Sequence, residues 1–229
     1  MNACDTSRVP RPELSFPEDE AAYLTSAYKA AQVILEYGSG GSTVLASEMP
    51  GKLIFSVESD WLWAIRLQSH IDAQNMPSPA TVYHADIGPT GTWGRPLDNT
   101  HWAQFHKYPL SIWDEPFFRH PDVVLIDGRF RAACMMTVMT RITQPVTVLF
   151  DDYTERRPYH VVEDWVRPRE TTGRMAVFDV APGLLGRDAL SRINNALAQA
   201  TYSTKKPFYE MHAAEAIEQR LKMSKDHGE

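Results

Sequence analysis

The chain has 229 residues, of which 43% are hydrophobic, and we predict a single domain with a substantial core over residues 1–229. Its formal net charge is −6 and no basic block occurs, which argues against binding to nucleic acid or to a membrane surface. Cys4 and Cys134 fit no zinc spacing, and no leader or membrane-length apolar run is evident, so we expect a reduced, cytoplasmic protein.

The chain begins with a segment that is rich in proline. Pro10, Pro12 and Pro17 punctuate it, and we predict that residues 1–16 form a loose arm. Pro17 can open a helix, and apolar residues at roughly helical spacing predict a helix over residues 18–31.

A glycine-rich turn follows the first apolar run. Residues 33–43 read Val-Ile-Leu-Glu-Tyr-Gly-Ser-Gly-Gly-Ser-Thr, which predicts a strand over 32–37, a tight turn, and a helix over 42–49. Glycines allow a ligand to approach the backbone, and the first turn of a helix presents unpaired N–H groups to it. We therefore predict that a nucleotide-like ligand binds at this turn.

The residues around the turn narrow the choice of ligand. A dinucleotide fingerprint requires glycine at the sixth position, where this chain has Thr43, and a phosphate-binding loop requires a lysine that is absent here. These departures disfavour a nicotinamide-dependent oxidoreductase. Glu36 precedes Gly38 by two residues, and a carboxylate at this place suits a ligand that carries an ammonium group.

Strands and helices alternate along the rest of the chain. Further strands are predicted at 53–58, 80–87, 122–127, 146–151 and 175–180. Further helices are predicted at 61–73, which Asp60 would cap, and at 131–141, 158–165, 188–200 and 210–223. Because the strands are apolar throughout and alternate with helices, they predict a Rossmann-like, doubly wound, mostly parallel α/β sheet with helices on both faces.

The segment 88–121 interrupts this alternation. It is rich in turn residues and in aromatic side chains, namely Trp93, Trp102, Phe105, Tyr108, Trp113, Phe117 and Phe118. An insertion of this kind is either a functional lid over a ligand or a satellite hydrophobic cluster beneath a long loop. At the end of the chain, residues 183–229 are a predicted helical extension, and its tail, residues 205–229, either docks on the core or builds a homodimer contact.

Acidic residues fall at the carboxyl ends of the predicted strands, where a doubly wound sheet binds its ligands. They are Glu36, Glu58, Asp86, Asp127, Asp151 and Asp152. Glu58 follows the glycine turn by about twenty residues, the offset at which such sheets place an acid on ribose hydroxyls. The alternative for Glu58 is a surface acid at a strand end.

The acid-x-Gly-x-Gly pattern at 36–40 resembles motif I of the class I S-adenosylmethionine-dependent methyltransferases, which holds the methionine end of the cofactor. Ser42 stands where that motif usually has its third glycine, and the seventh, antiparallel strand of the fold is not evident in the sequence. The resemblance implies that S-adenosylmethionine is bound by Glu36, Tyr37, Gly38, Ser39, Gly40, Ser42, Glu58, Asp86, Ile87 and Asp127. Asp86 would meet the adenine edge, but it suits equally well the start of a turn at Gly88.

Two later motifs resemble the metal-dependent small-molecule O-methyltransferases. Ile-Asp-Gly at 126–128 and Phe-Asp-Asp-Tyr at 150–153 are similar to the motif pairs of the macrocin O-methyltransferase group and of the catechol O-methyltransferase type. Carboxylates that converge repel one another, and a hard cation relieves that repulsion. The resemblance implies that Asp127, Asp151 and Asp152 hold Mg²⁺, which would lower the pKa of a substrate hydroxyl. Alternatively, Asp151 and Asp152 are turn or cap residues.

The chain departs from both groups just after Asp127. The catechol type has a lysine where this chain has Phe130, and the macrocin group has an acid where it has Arg129. Arg129 and Arg131 suit a carboxylate or phosphate on an anionic substrate. Alternatively, Arg129 neutralises Asp127 or the Asp151 pair, which would remove the need for a metal.

The resemblance as a whole implies methyl transfer from S-adenosylmethionine to an oxygen of a small-molecule substrate. Mg²⁺ is the candidate second cofactor, and Asp127 and Arg129 are the candidate catalytic residues. The alternative is a catalytically degenerate, methyltransferase-like binding protein that retains the fold and the cofactor site.

Overall fold

The computed structural model describes residues 11–204 of the chain. One sheet contains the strands β1 (Val33–Tyr37), β2 (Leu53–Glu58), β3 (Ala80–His84), β4 (Val123–Ile126), β5 (Val146–Phe150), β6 (Glu170–Thr172) and β7 (Met175–Val180). The α-helices are α1 (Glu18–Ala30), α2 (Gly41–Ser47), α3 (Trp61–Ala73), α4 (Lys107–Leu110), α5 (Arg131–Arg141) and α6 (Leu190–Ala198). Short 3₁₀ helices lie at Thr92–Gly94, Trp102–Gln104, Ser111–Asp114, Arg157–Asp164 and Arg187–Ala189. Every helix within residues 11–204 is too short or too polar to cross a membrane.

The strands lie in the order β3-β2-β1-β4-β5-β7-β6. The first five are parallel, and β7 is antiparallel to both of its neighbours, β5 and β6. This arrangement confirms the predicted Rossmann-like, doubly wound and mostly parallel sheet. The chain order reverses between β1 and β4, and sheets of this kind bind ligands in the crevice beyond the carboxyl ends of such strands.

Alternate residues of the central strands pack into hydrophobic cores on opposite faces of the sheet. Ile34 and Ile54 belong to a core that includes side chains of α1, α2 and α3. Leu35 and Phe55 belong to a larger core that includes side chains of α4, α5 and α6. Because both faces of these strands are buried, the strands are apolar throughout, which is the pattern that made them recognisable.

The last two strands, β6 and β7, explain what the sequence did not show. The predicted strand at 175–180 is β7, and it is the antiparallel one. The strand that was missed is β6, whose three residues are mostly exposed at the edge of the sheet and form no apolar run. The predicted helix at 158–165 is a 3₁₀ helix, and the predicted helix at 210–223 lies outside the described residues.

Other element boundaries follow local signals. Asp60 caps α3 as predicted, because its Oδ1 accepts hydrogen bonds from the backbone nitrogens of Leu62 and Trp63 at 3.0 Å each. The bounds of α5 are the predicted ones. The predicted strand at 80–87 ends earlier, at His84, and the residues after it form a loop.

Two backbone turns touch where the chain order reverses. Gly38 has φ = 100°, and a Cβ atom there would lie 2.8 Å from the backbone nitrogen of Gly128. A Cβ atom on Gly128 would overlap the hydroxyl of the buried Tyr108 and would lie 2.8 Å from the nitrogen of Gly38. Glycine at both positions therefore lets the turn after β1 pack directly on the turn after β4. This contact holds Asp127 beside the glycine turn.

We expect Gly128→Ala to lower the free energy of unfolding by roughly 1–3 kcal/mol, because the added methyl group would overlap backbone and ring atoms that cannot easily move. Gly40→Ala is the matched control, since nothing lies within 4 Å of a Cβ atom at Gly40. Urea unfolding of both variants measures the difference. Equal stability of the two would contradict the tight contact.

Candidate active site

A cavity of about 590 Å³ opens above the carboxyl ends of β1, β2 and β4. Its size is within the usual range for small-molecule and cofactor sites. Its walls are residues 38–42, 127–129, 91–94 and 12–16 together with Glu58, Asp60, Trp63, Arg66 and Tyr108. The fold thus brings together the predicted site residues Gly38, Ser39, Gly40, Ser42, Glu58, Asp127 and Arg129.

Glu36 lies behind the glycine turn and does not line the cavity. It is fully buried, and its carboxylate accepts hydrogen bonds from the Tyr28 hydroxyl at 2.7 Å and from Thr43 Oγ1 at 2.5 Å. Thr43 Oγ1 also accepts a hydrogen bond from the backbone nitrogen of Gly40 at 3.0 Å. Burial raises the pKa of Glu36, and the hydrogen bonds from Thr43 and Tyr28 oppose that rise. Thr43, the departure from the dinucleotide fingerprint, therefore ties this carboxylate to the turn.

Tyr37 is also directed away from the cavity, into the larger core. Its hydroxyl donates a hydrogen bond to the carbonyl of Pro109 at 2.7 Å and accepts one from the Trp113 indole at 2.7 Å. Tyr37 thus joins the end of β1 to the aromatic insertion.

The aromatic insertion at 88–121 packs into the core and also borders the cavity, and its role as a lid stays a prediction. Phe105, Tyr108 and Ile112 pack into the larger core, as a satellite cluster would. Residues 91–94 and Tyr108 line the cavity, as a lid would, and Trp93 is 77% exposed. The insertion therefore forms part of the core and one wall of the cavity.

Glu58 presents its carboxylate at the end of β2. One oxygen accepts hydrogen bonds from the backbone nitrogens of Ser59 at 2.7 Å and Asp60 at 2.8 Å, and the other accepts one from Ser39 Oγ at 2.9 Å. Burial raises the pKa of Glu58, while these hydrogen bonds lower it. The loop at 91–94 lies against this group, because Ser59 Oγ donates a hydrogen bond to the carbonyl of Gly94 at 2.7 Å.

Asp86 and Ile87 do not line the large cavity. Asp86 Oδ1 accepts a hydrogen bond from the backbone nitrogen of Gly88 at 3.0 Å, which is the turn that the sequence offered as the alternative. Asp86 also borders a separate surface pocket of about 320 Å³, together with Trp61 and His101. Ile87 is buried in the larger core.

Residues 12–16, at the end of the predicted arm, cross the glycine turn. A Cβ atom on Gly41 would overlap the carbonyl of Glu13, so glycine is required for this approach. Leu14 and Phe16 pack against the smaller core, and Arg11 pairs with Glu48 at 2.7 Å. The proline-rich composition gave no sign that this segment would form a wall of the cavity.

The carboxylates of Asp127, Asp151 and Asp152 come together as predicted, with one oxygen of each within 4.8 Å of the others. Asp151 is buried, and Asp127 lines the cavity. Burial raises the pKa of Asp127 to about 7, and the charges of Asp151 and Asp152 add to this rise, whereas the charge of Arg131 opposes it. Asp127 is therefore a carboxyl group that can hold or release a proton near neutral pH.

Arg131 lies among these carboxylates. Its Nη2 is 3.0 Å from an oxygen of Asp127 and 3.0 Å from one of Asp152. Its Nη1 donates a hydrogen bond to the backbone carbonyl of Asp151 at 2.5 Å, and its Nε donates one to the carbonyl of Gly128 at 3.1 Å. The side chain is only 4% exposed, so its charge compensates the cluster from inside the protein.

Two more arginines complete the compensation. Arg174 Nε is 3.0 Å from Asp151 and 3.1 Å from Asp152, and Arg156 Nη2 is 2.8 Å from Asp152. Every carboxylate of the cluster thus has a guanidinium partner. The arrangement fits arginine compensation, and Mg²⁺ would compete with these arginines for carboxylate oxygens. The sequence raised this alternative for Arg129, but Arg131, Arg156 and Arg174 provide the charges.

We expect Arg131→Met to lower the free energy of unfolding by roughly 3–5 kcal/mol, because it removes a buried cation that pairs with all three carboxylates and is the partner of Asp127 among the described ion pairs. Arg156→Met is the matched control, since Arg156 is 46% exposed and a partner of this kind contributes about 1 kcal/mol or less. The loss in Arg131→Met should be smaller at pH 5 than at pH 8, because Asp127 with a pKa of about 7 is then protonated. Denaturant unfolding at both pH values measures this, and equal losses in the two variants would contradict a central role of Arg131.

No protein-family model and no curated protein sequence matches the chain. Among solved structures, a methyltransferase-like protein from Silicibacter pomeroyi DSS-3 has 45% sequence identity and a TM-score of 0.80, over 82% of this chain and 98% of that protein. The O-methyltransferase from Bacillus cereus, solved in complex with SAH, has 15% identity and a TM-score of 0.51, over 76% of this chain and 84% of that protein.

One of these two similarities supports only the fold, and the other also supports family membership. The Bacillus cereus enzyme, at its low identity, shows the fold alone. The Silicibacter pomeroyi protein is matched over nearly its whole length at an identity that shows common family membership. The chain belongs to the same methyltransferase-like family as the Silicibacter pomeroyi protein, and it has the Rossmann-like class I methyltransferase fold.

Proposed function

We propose that the protein binds S-adenosylmethionine in the large cavity and transfers its methyl group to an oxygen of a small-molecule acceptor. One observation carries this proposal: the glycine turn, Glu58 and Asp127 border a single cavity where the strand order reverses. Oxygen as the methylated atom is supported by the resemblance of the motifs at 126–128 and 150–153 to those of O-methyltransferases.

The cavity walls suit the parts of this cofactor. The turn at 38–42 lines the cavity, and nothing lies within 4 Å of a Cβ position at Gly40, so a ligand can lie against the backbone there. Glu58 lines the cavity with a carboxylate that can accept hydrogen bonds from two ribose hydroxyls. When bound, the cofactor supplies an electrophilic methyl group on a sulfonium centre.

Residues of the chain would position the acceptor and take up the proton of its hydroxyl group. Asp127 faces the cavity with a pKa of about 7, so it can accept the proton of an acceptor hydroxyl as the oxygen attacks. Arg131 holds this carboxylate in place, because its Nη2 lies 3.0 Å from Oδ1 of Asp127. Trp63 and Tyr108 give the cavity aromatic walls, on which an apolar part of the acceptor can pack.

A second candidate is a binding protein that retains the cofactor site without transfer. The observation that favours it is that Arg131, Arg156 and Arg174 neutralise the cluster that would otherwise take a metal. Incubation with methyl-labelled S-adenosylmethionine and a panel of phenols, hydroxy acids and amines separates the two candidates. Label in any acceptor supports the enzyme, and cofactor binding without any transfer supports the binding protein.

We expect Glu58→Gln to weaken binding of S-adenosylhomocysteine at pH 7.5 by roughly tenfold or more, because the carboxylate that accepts hydrogen bonds from the ribose hydroxyls is lost. In the native protein, affinity should fall as pH decreases, since burial raises the pKa of Glu58 and a protonated carboxyl accepts fewer hydrogen bonds. Glu58→Gln should have a flatter pH dependence. Calorimetry between pH 5 and 8 measures both effects.

Asp72→Asn is the control for this experiment, because Asp72 is an exposed acid on α3 that does not line the cavity. It should bind S-adenosylhomocysteine as the native protein does. If Glu58→Gln and Asp72→Asn bind equally well, Glu58 does not hold the ribose.

We expect EDTA to leave cofactor affinity and methyl transfer unchanged, because arginines already compensate Asp127, Asp151 and Asp152. The measurement is transfer of labelled methyl groups before chelation, after it, and after excess Mg²⁺ is added. Activity that EDTA abolishes and Mg²⁺ restores would establish the metal site that the sequence resemblance implies.

A further inference from the structure

Arg129 presents a positive charge to the cavity without a counterion from the described chain. Arg129 lines the cavity next to Asp127 and Gly128. None of the ion pairs formed within residues 11–204 includes it. Burial lowers the pKa of Arg129, and the charges of Arg131 and Arg95 lower it further, although Tyr108 opposes them. A guanidinium group remains charged in such surroundings, so this charge is available to a ligand.

Arg95 is a second cation next to this wall, and it does not itself line the cavity. It follows residues 91–94, which line the cavity, and it is close enough for its charge to act on Arg129. Its Nε is buried and has no hydrogen-bond partner in the part of the chain that the structure describes. Arg95 also takes no part in the ion pairs within that part. A buried N–H group without an acceptor is costly, and an oxygen of a ligand would satisfy it.

Arg131 is not available for this purpose. The sequence paired Arg129 with Arg131 as candidates for an anionic substrate, but Arg131 uses its donors on Asp127, Asp152 and two backbone carbonyls. The structure therefore gives different surroundings to these two arginines, which lie two positions apart in sequence. It leaves Arg129 with Arg95, which lies in the aromatic insertion.

We propose that Arg129 and Arg95 form a binding site for an anionic group, a carboxylate or a phosphate, of a ligand in the cavity. Guanidinium groups bind both anions with paired hydrogen bonds and a favourable charge interaction. The inference deepens the proposed function and rests on it for the identity of the ligand. The anion is supplied either by the acceptor or by the carboxylate of the cofactor.

The first test is calorimetric titration of the full chain with phenyl phosphate and benzoate, with benzyl alcohol as the neutral counterpart. The aromatic ring suits the walls formed by Trp63 and Tyr108. Both anions should bind more tightly than the alcohol, and Arg129→Gln and Arg95→Gln should each weaken anion binding roughly tenfold. Arg187→Gln is the control, because Arg187 is exposed and does not line the cavity.

The second test identifies the source of the anion. S-adenosylhomocysteine and 5′-methylthioadenosine, which lacks the amino-acid carboxylate, are titrated into the native protein and Arg129→Gln. If only S-adenosylhomocysteine binds more weakly to the variant, the site holds the cofactor's carboxylate. If the protein loaded with S-adenosylhomocysteine still binds the anions through both arginines, the site holds an anion of the acceptor.

The proposal is overturned if the anions bind no more tightly than benzyl alcohol. It is also overturned if Arg187→Gln weakens anion binding as much as Arg129→Gln and Arg95→Gln do. The anion titrations of the free protein need no cofactor. These titrations therefore test the anion site even if S-adenosylhomocysteine does not bind. Failure of S-adenosylhomocysteine to bind would overturn the proposed function and not the anion site.

Discussion

The guanidinium group of Arg131 is the interaction on which the site depends. Carboxylates as close as those of Asp127, Asp151 and Asp152 repel one another strongly, so the ends of β4 and β5 can meet only with a compensating charge between them. Arg131 supplies that charge at 3.0 Å from two of them and also binds the backbone carbonyls of Gly128 and Asp151. The same side chain thus fixes the turn that carries Asp127 and the turn that faces the hairpin of β6 and β7.

The sequence was sufficient to predict those parts of the structure that follow from local pattern and general topology. Buried parallel strands need apolar residues on both faces, so most strands of the sheet could be predicted from apolar runs in the sequence. A glycine turn after the first strand located the ligand crevice, because the carboxyl ends of the parallel strands meet along one edge. Asp60 was identifiable as a helix cap since its acceptor role involves only Leu62 and Trp63, which lie within the next three residues.

The contacts that the sequence could not predict join residues far apart in the chain. Arg174 pairs with Asp151 across 23 positions of sequence, and it lies in a hairpin whose outer strand is too short and exposed to produce a pattern. Glu13 packs on Gly41 although neither neighbourhood indicates the contact. Asp86 had two compatible roles in sequence, and its position beside Gly88 became clear only from the path of the loop.

The cluster of three aspartates is matched by three arginines, so it contributes little net charge to the cavity above it. Charged side chains of both signs also line this cavity: Glu58 and Asp60 follow β2, Arg66 lies on α3, and Arg129 follows β4, with β1 between β2 and β4. Strands two places apart in a sheet are separated by about 10 Å. The Glu58 carboxylate and the Arg129 guanidinium group therefore stand on opposite sides of β1, so a zwitterionic ligand that reaches both would lie across the end of that strand.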